Sequence, residues 1–229
     1  MIFGLILVGF LSGLLIPFMA GRFGKLIPMD PGLLLLRIVH KPRFPKTKNK
    51  KRCQLLQKKW HKLWRISLSY GVGLAILFML CGTFLPRHFI LWGCLFCWIL
   101  AISTAIDAQY WLLPDFFTIP LLLLGMIFTS QPAIGIDIGL VGACGGYLLS
   151  VFSVFVMGLF SKNPQFGCGD VKMLTAIGAW LGILGLSYTL VLSFLLFIAF
   201  NALPIQKKGA YGPALNVAAL FFFFVIYAK

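Results

Sequence analysis

"GDVKMLTAIGAWLGILGLSYTLVLSFLLFIAFNALP", residues 169–204, decides what kind of protein this is. It opens on Asp170 and Lys172 and then runs to Pro204 without another charge. A membrane-spanning helix uses about 20 apolar residues. The stretch is therefore too long for one crossing, and its composition does not suit a soluble helix. It divides at "GILGLS", and the sequence places the division at Gly185.

The remainder of the chain has the same character. Its 229 residues have a mean hydropathy of +0.97 and 11% charged side chains, where a soluble domain carries about 25%. Apolar runs predict spans over 2–21, 66–85, 89–106, 117–134, 138–160, 171–186, 187–206 and 212–228. The expected fold is an all-α integral membrane protein, a polytopic helical bundle of about eight transmembrane helices, forming a single membrane-embedded domain over 1–229. The first run, "MIFGLILVGFLSGLLIPFMAG", lacks a basic n-region and is too long for a signal-peptide core, so it reads as a retained span.

Charge placement predicts the topology. Twelve of the 20 Lys and Arg lie between Arg37 and Arg65, which makes the loop over 22–65 cytoplasmic by the positive-inside rule. Alternating spans then put 18 of the 20 on the cytoplasmic side and leave Arg87 and Lys229 outside. The net charge of +15 suits anionic lipid headgroups rather than nucleic acid, because the basic residues crowd beside apolar spans and no nucleic-acid-reading fold is present. Within the loop, "CQLLQKKWHKLWRI" spaces Leu56, Trp60, Leu63 and Trp64 at helical intervals, predicting an amphipathic helix on the membrane surface. No metal is expected: Cys94-x-x-Cys97 has apolar flanks and no second pair, and His40, Cys53 and His61 are irregularly spaced. The six cysteines are scattered and four fall in apolar runs, so no disulfide framework follows.

There are five Asp and no Glu, so each acid is informative. Asp107 ends the third predicted span and Asp170 begins the sixth, both at the expected cytoplasmic ends, near water, where an intramembrane charge is tolerable. Two facing carboxyls that share a proton can perform hydrolysis, one activating water and the other protonating the departing group. Gly167 and Gly169 flank Asp170 and let a neighbouring backbone approach closely. Simpler roles exist too, in which Asp170 caps the sixth helix and Lys172 marks the cytoplasmic side. Asp115, after Pro114 and three residues before Thr118, reads as the N-cap of the fourth span. Asp137 reads as the cap of the fifth, and Asp30 as part of a turn.

"IDAQYWLLPDFFTIPLLLLG", followed 63 residues after its first Asp by "GCGDVKMLTAIGAWLG", closely resembles the prepilin leader peptidases, the membrane aspartic peptidases of type IV pilus and type II secretion systems. "YGPAL", residues 211–215, is similar to the aromatic-Gly-Pro turn before that family's last span. The resemblance covers about residue 89 to the end. It implies a bacterial inner-membrane, multi-pass enzyme that removes the basic leader from prepilins or pseudopilins at the cytoplasmic face. The implied catalytic pair is Asp107 and Asp170, with Gly167, Gly169 and Lys172 binding substrate or supporting the pair. Many members also N-methylate the new terminus and carry two zinc-binding Cys-x-x-Cys pairs in the first cytoplasmic loop. Here that loop holds only Cys53, so the likeness is to a short form without the zinc site. Proteolysis by water needs no cofactor, and S-adenosylmethionine is implied only if methyl transfer is retained.

Other classes predict other patterns. An inactive assembly partner of a pilus or secretion system would have lost an Asp from one motif, and both are present. A transporter using the same acids as ion ligands would show internal repeats with broken helices in matching positions, and the two Asp motifs do not resemble each other.

Overall fold

The computed structural model describes residues 2–26, 50–111, 113–160, 168–202 and 211–228. Among them the secondary structure is entirely helical: α1 (Ile2–Leu26), α2 (Lys50–Phe84), α3 (Ile90–Tyr110), α4 (Asp115–Thr129), α5 (Ile136–Phe160), α6 (Cys168–Ala202) and α7 (Tyr211–Tyr227). Five helices, α1, α2, α3, α5 and α6, contain stretches long and apolar enough to cross a membrane, while α4 and α7 are apolar but shorter. Side chains such as Leu91, Phe152, Leu148, Leu184 and Val191 are more than 60% exposed, a surface suited to lipid. The chain is a multi-pass membrane protein.

The chain clusters into two compact units, Met1–Gly82 and Thr83–Lys229. In the first, α1 and α2 run antiparallel, with Gly82 beside Leu5, Gly9 beside Leu74 and Phe78, and Gly13 against the backbone of Tyr70 and Gly71. Ser67 donates to the Leu14 carbonyl. Lipid offers no hydrophobic drive between helices, so small residues that allow backbone contact do the packing. The amphipathic segment predicted to lie apart on the membrane surface is instead the first part of α2, which continues unbroken to Phe84. No Gly or Pro interrupts residues 50–70, so the backbone has no reason to stop there.

The second unit is organised around α6, which packs on α5, α7 and α4. Gly142 of α5 and Gly178 of α6 meet backbone to backbone, each filling the space where the other would carry a Cβ. Where α3, α4, α6 and α7 meet, Trp180 stacks on Phe128 with ring centroids 4.9 Å apart and lies 4.7 Å from Phe96, which in turn lies 4.8 Å from Phe223. Its indole N–H donates to the Leu121 carbonyl at 2.8 Å, and the Tyr227 hydroxyl donates to the Trp180 carbonyl at 2.7 Å.

One residue inside α6 is not helical: Gly182, at φ 69° and ψ 178°. The break therefore falls there and not at Gly185, because only glycine adopts that φ without strain. Its effect is large. Gly185, Tyr188 and Phe197 pack along α7 against Ile226, Phe222 and Tyr211 in turn, an antiparallel pairing. The first half of α6 instead runs parallel to α4, with Gly169 on Leu113 and Trp180 on Leu121. Since α4 and α7 both run opposite to α3, α6 turns back on itself at Gly182. The two passes expected over 171–186 and 187–206 are the two limbs of this one bent helix, so the count of eight separate helices is not reproduced.

Candidate active site

Asp107 lies in the last turn of α3 and is 6% exposed. Just beyond it Trp111 takes a left-handed conformation, φ 55°, and its N–H closes on the Asp107 carbonyl at 2.9 Å. That residue ends the helix, the chain passes through Leu113 and Pro114, and α4 begins at Asp115. Residues 108–111 of the first motif thus close the last turn of α3 and end it at Trp111.

The Asp107 carboxylate accepts a hydrogen bond from the Gly212 N–H, 3.1 Å from Oδ2. Gly212 sits in the first turn of α7, whose early N–H groups have no partner within the helix, so the carboxylate occupies a natural anion position. A side chain at residue 212 would collide with it: a Cβ there stands 2.9 Å from Asp107 Cγ and closer still to Oδ2. One turn further inside, Asn216 donates to Thr104 Oγ1 at 2.8 Å and to the Leu100 carbonyl at 3.4 Å, fastening α7 to α3 beneath the acid.

Asp170 is half-buried in the first turn of α6. Towards the other end of α6, Ser193 Oγ lies 2.6 Å from the Tyr211 hydroxyl. A straight helix from Asp170 to Ser193 would span about 35 Å at 1.5 Å per residue. The fold-back at Gly182 is what returns Ser193 to Tyr211, at the end of the bundle where α6 begins. The start of α7 thus seats Asp107, while Gly169 on Leu113 and Lys172 on Asp115 hold the second Asp motif against the segment that follows Asp107. The N-termini of α4, α6 and α7 share this end, and their dipoles favour negative charge.

Other predicted residues take different places. Lys172 binds Asp115, its Nζ 2.7 Å from Oδ1 and 2.6 Å from Oδ2. Asp115 is not an N-cap: Pro114 holds that position without a side-chain bond, Asp115 is the first helical residue, and the Thr118 hydroxyl has no partner among the described residues. Proline at the cap leaves the acid free to pair across helices. Asp137 lies within the first turn of α5. Gly169 packs on Leu113, a Cβ there meeting Leu113 Cβ at 2.8 Å and its carbonyl at 3.1 Å. Gly167 and Asp30 lie outside the described residues.

Tyr211, Gly212, Asn216 and Ser193 acquire their roles only in the fold. Of these, the sequence offered Tyr211–Gly212 as a turn before the last span, and they form the first turn of that helix instead. The described residues contain no cluster of metal-ligating side chains.

Residues 94–202, which contain both Asp107 and Asp170, match the type IV leader peptidase family. This stretch belongs to that family. The chain is similar to the prepilin leader peptidase/N-methyltransferase of Dickeya chrysanthemi, 35% identical over 167 residues, or 68% of this chain and 58% of that protein. The protein of the same name from Klebsiella pneumoniae is 42% identical over 120 residues, 51% of this chain and 52% of that one. That from Neisseria gonorrhoeae is 35% identical over 124 residues, covering 52% and 43%. The chain spans about half the length of the relatives it matches. No solved structure matches it. The family match ends before Tyr211, so the hydrogen bond that seats Asp107 comes from outside the matched stretch.

Proposed function

We propose that this protein is a membrane aspartic endopeptidase that removes the basic leader from type IV prepilins or type II secretion pseudopilins. In this reading it works at the cytoplasmic face of the bacterial inner membrane, and Asp107 and Asp170 form the catalytic pair. The observation that carries the reading is the contact between the two Asp motifs: Gly169 and Lys172, on either side of Asp170, lie against Leu113 and Asp115, which follow the buried Asp107. The family of residues 94–202 and the names of its relatives support the substrate class.

The chemistry needs one carboxyl ionised and one protonated. Placed together, two carboxyls hold a single proton between them and titrate as a pair. The ionised member takes a proton from water as the oxygen attacks the scissile carbonyl carbon; the protonated member gives its proton to the carbonyl oxygen, and the tetrahedral species then collapses with proton transfer to the departing amine. The Gly212 N–H fixes the direction of the Asp107 lone pairs during these transfers. Water is the nucleophile and no cofactor enters; S-adenosylmethionine would serve only a methyl transfer, for which the first loop lacks the paired cysteines.

A carboxylate on a helix N-terminus also has a purely structural use, as a cap for α7, and the test separates the two. Purified protein in detergent is given a prepilin, wild type beside Asp107→Asn and Asp170→Asn, with folding checked by thermal unfolding. The expected result is a loss of roughly 100- to 10,000-fold in each variant, the range for removing a positioned acid or base. Folded variants that still cleave leave Asp107 as a cap and refute the catalytic pair.

A further inference from the structure

We infer that Lys172 and Asp115 form a positioning clamp that fixes where Asp170 stands relative to the Asp107 end of α3, an inference that rests on the peptidase reading above. Two contacts, at the same register, bind the two motifs to each other. Gly169, just before Asp170, is pressed on Leu113 with no room for a Cβ. Lys172, just after it, holds both carboxylate oxygens of Asp115 at 2.6 and 2.7 Å. Residues 169 and 172 thus bracket Asp170 while touching residues 113 and 115, which bracket Pro114.

That segment is in turn tied to Asp107. The left-handed Trp111 hydrogen-bonds the Asp107 carbonyl, and Pro114 has its φ fixed by its ring. Asp107, Trp111, Leu113, Asp115, Lys172 and Asp170 form a short chain of constrained links. A slip of one residue between α6 and this segment would break both contacts together.

The pair is no major source of stability. Its side chains are 46% and 54% exposed, and exposed ion pairs contribute little. Its geometry nonetheless commits the ammonium to Asp115. Lys172 therefore acts on the reaction through placement of its helix, as a positioning residue, and variants lacking the pair should still fold.

The test uses the full chain in detergent and two readouts. The first is prepilin cleavage by wild type, Lys172→Met, Asp115→Asn and the charge-exchanged pair Lys172→Asp with Asp115→Lys. The second, independent of activity, is the rate of disulfide formation between a cysteine placed at Leu113 and the native Cys168 that precedes Gly169, with the other five cysteines replaced by serine, in the same four backgrounds. Each single variant is expected to lose roughly 10- to 100-fold in kcat with little change in KM, the scale of an ångström-sized misplacement. Its cross-linking should slow, and the exchanged pair should recover both.

Single variants that cleave and cross-link like wild type overturn the clamp. So does an exchanged pair as impaired as the singles, which would mean the two charges act separately. If wild type cleaves no prepilin, the peptidase reading fails by itself, and cross-linking decides the clamp: an unchanged rate in Lys172→Met overturns it.

Discussion

Replacing Gly212 by alanine adds one methyl group at the point where α7 meets the Asp107 carboxylate. The new Cβ would stand 2.9 Å from Asp107 Cγ and 3.4 Å from its Cβ. Carbon atoms settle at about 3.5–4.0 Å, so the carboxyl carbon must retreat by at least about 0.6 Å, and the nearer oxygen by more. The 3.1 Å bond from the Gly212 N–H is lost in that movement. Since a misplacement near 1 Å costs up to about 100-fold in rate, the expected loss in kcat is roughly 10- to 100-fold, equivalent to about 1.4–2.7 kcal/mol of barrier. Overpacking alone destabilises by about 1–3 kcal/mol, so cleavage is measured well below the unfolding midpoint of the variant, alongside its thermal unfolding in the same detergent. Gly212→Ser should behave at least as badly. A folded Gly212→Ala protein that cleaves at the wild-type rate would refute the link between the seat of Asp107 on α7 and the chemistry.

Other perturbations test the frame around this seat. Gly182→Ala forces a Cβ onto an extended, positive-φ backbone that is essentially glycine's alone, a penalty of about 1–3 kcal/mol, and 2.6 Å from Ile138 Cγ2. Its unfolding midpoint should fall, and cleavage should fall with it because the return limb of α6 carries Ser193 to Tyr211. Trp180→Ala empties the centre of the aromatic cluster and removes the indole bond to the Leu121 carbonyl, with an expected loss of about 3–5 kcal/mol in detergent unfolding. Tyr211→Phe removes the hydroxyl shared with Ser193 and should lower stability by about 1 kcal/mol, read as a small drop in thermal midpoint; an unchanged midpoint would show that the hydroxyl pair adds nothing.

Much of the fold was legible in the chain, for simple reasons. Long apolar runs have one use in lipid, where every backbone group must be satisfied within a helix, so the helices and their order followed from hydropathy. Boundaries were less secure. The bend in α6 fell at Gly182 and not Gly185, because both glycines interrupt the run equally in the sequence and only packing against Ile138, Leu181 and Ile226 distinguishes them. The continuity of α2 was hidden by its change from basic to apolar composition, which alters the surroundings of a helix without ending it. Asp115 was read as a cap because the local pattern offers one; its partner Lys172 is 57 residues away.

The sequence by itself determined that the chain enters a membrane, that its five acids are too few to be incidental, and that Asp107 and Asp170 stand at the ends of apolar helices. Those properties belong to composition and local order. Only the tertiary structure decided what two of the acids touch: Gly212 and not a lysine at Asp107, and Lys172 at Asp115. These contacts join residues 57 to 105 positions apart, across helices whose crossings are set by backbone contact between small residues, and hydropathy carries no record of such pairings.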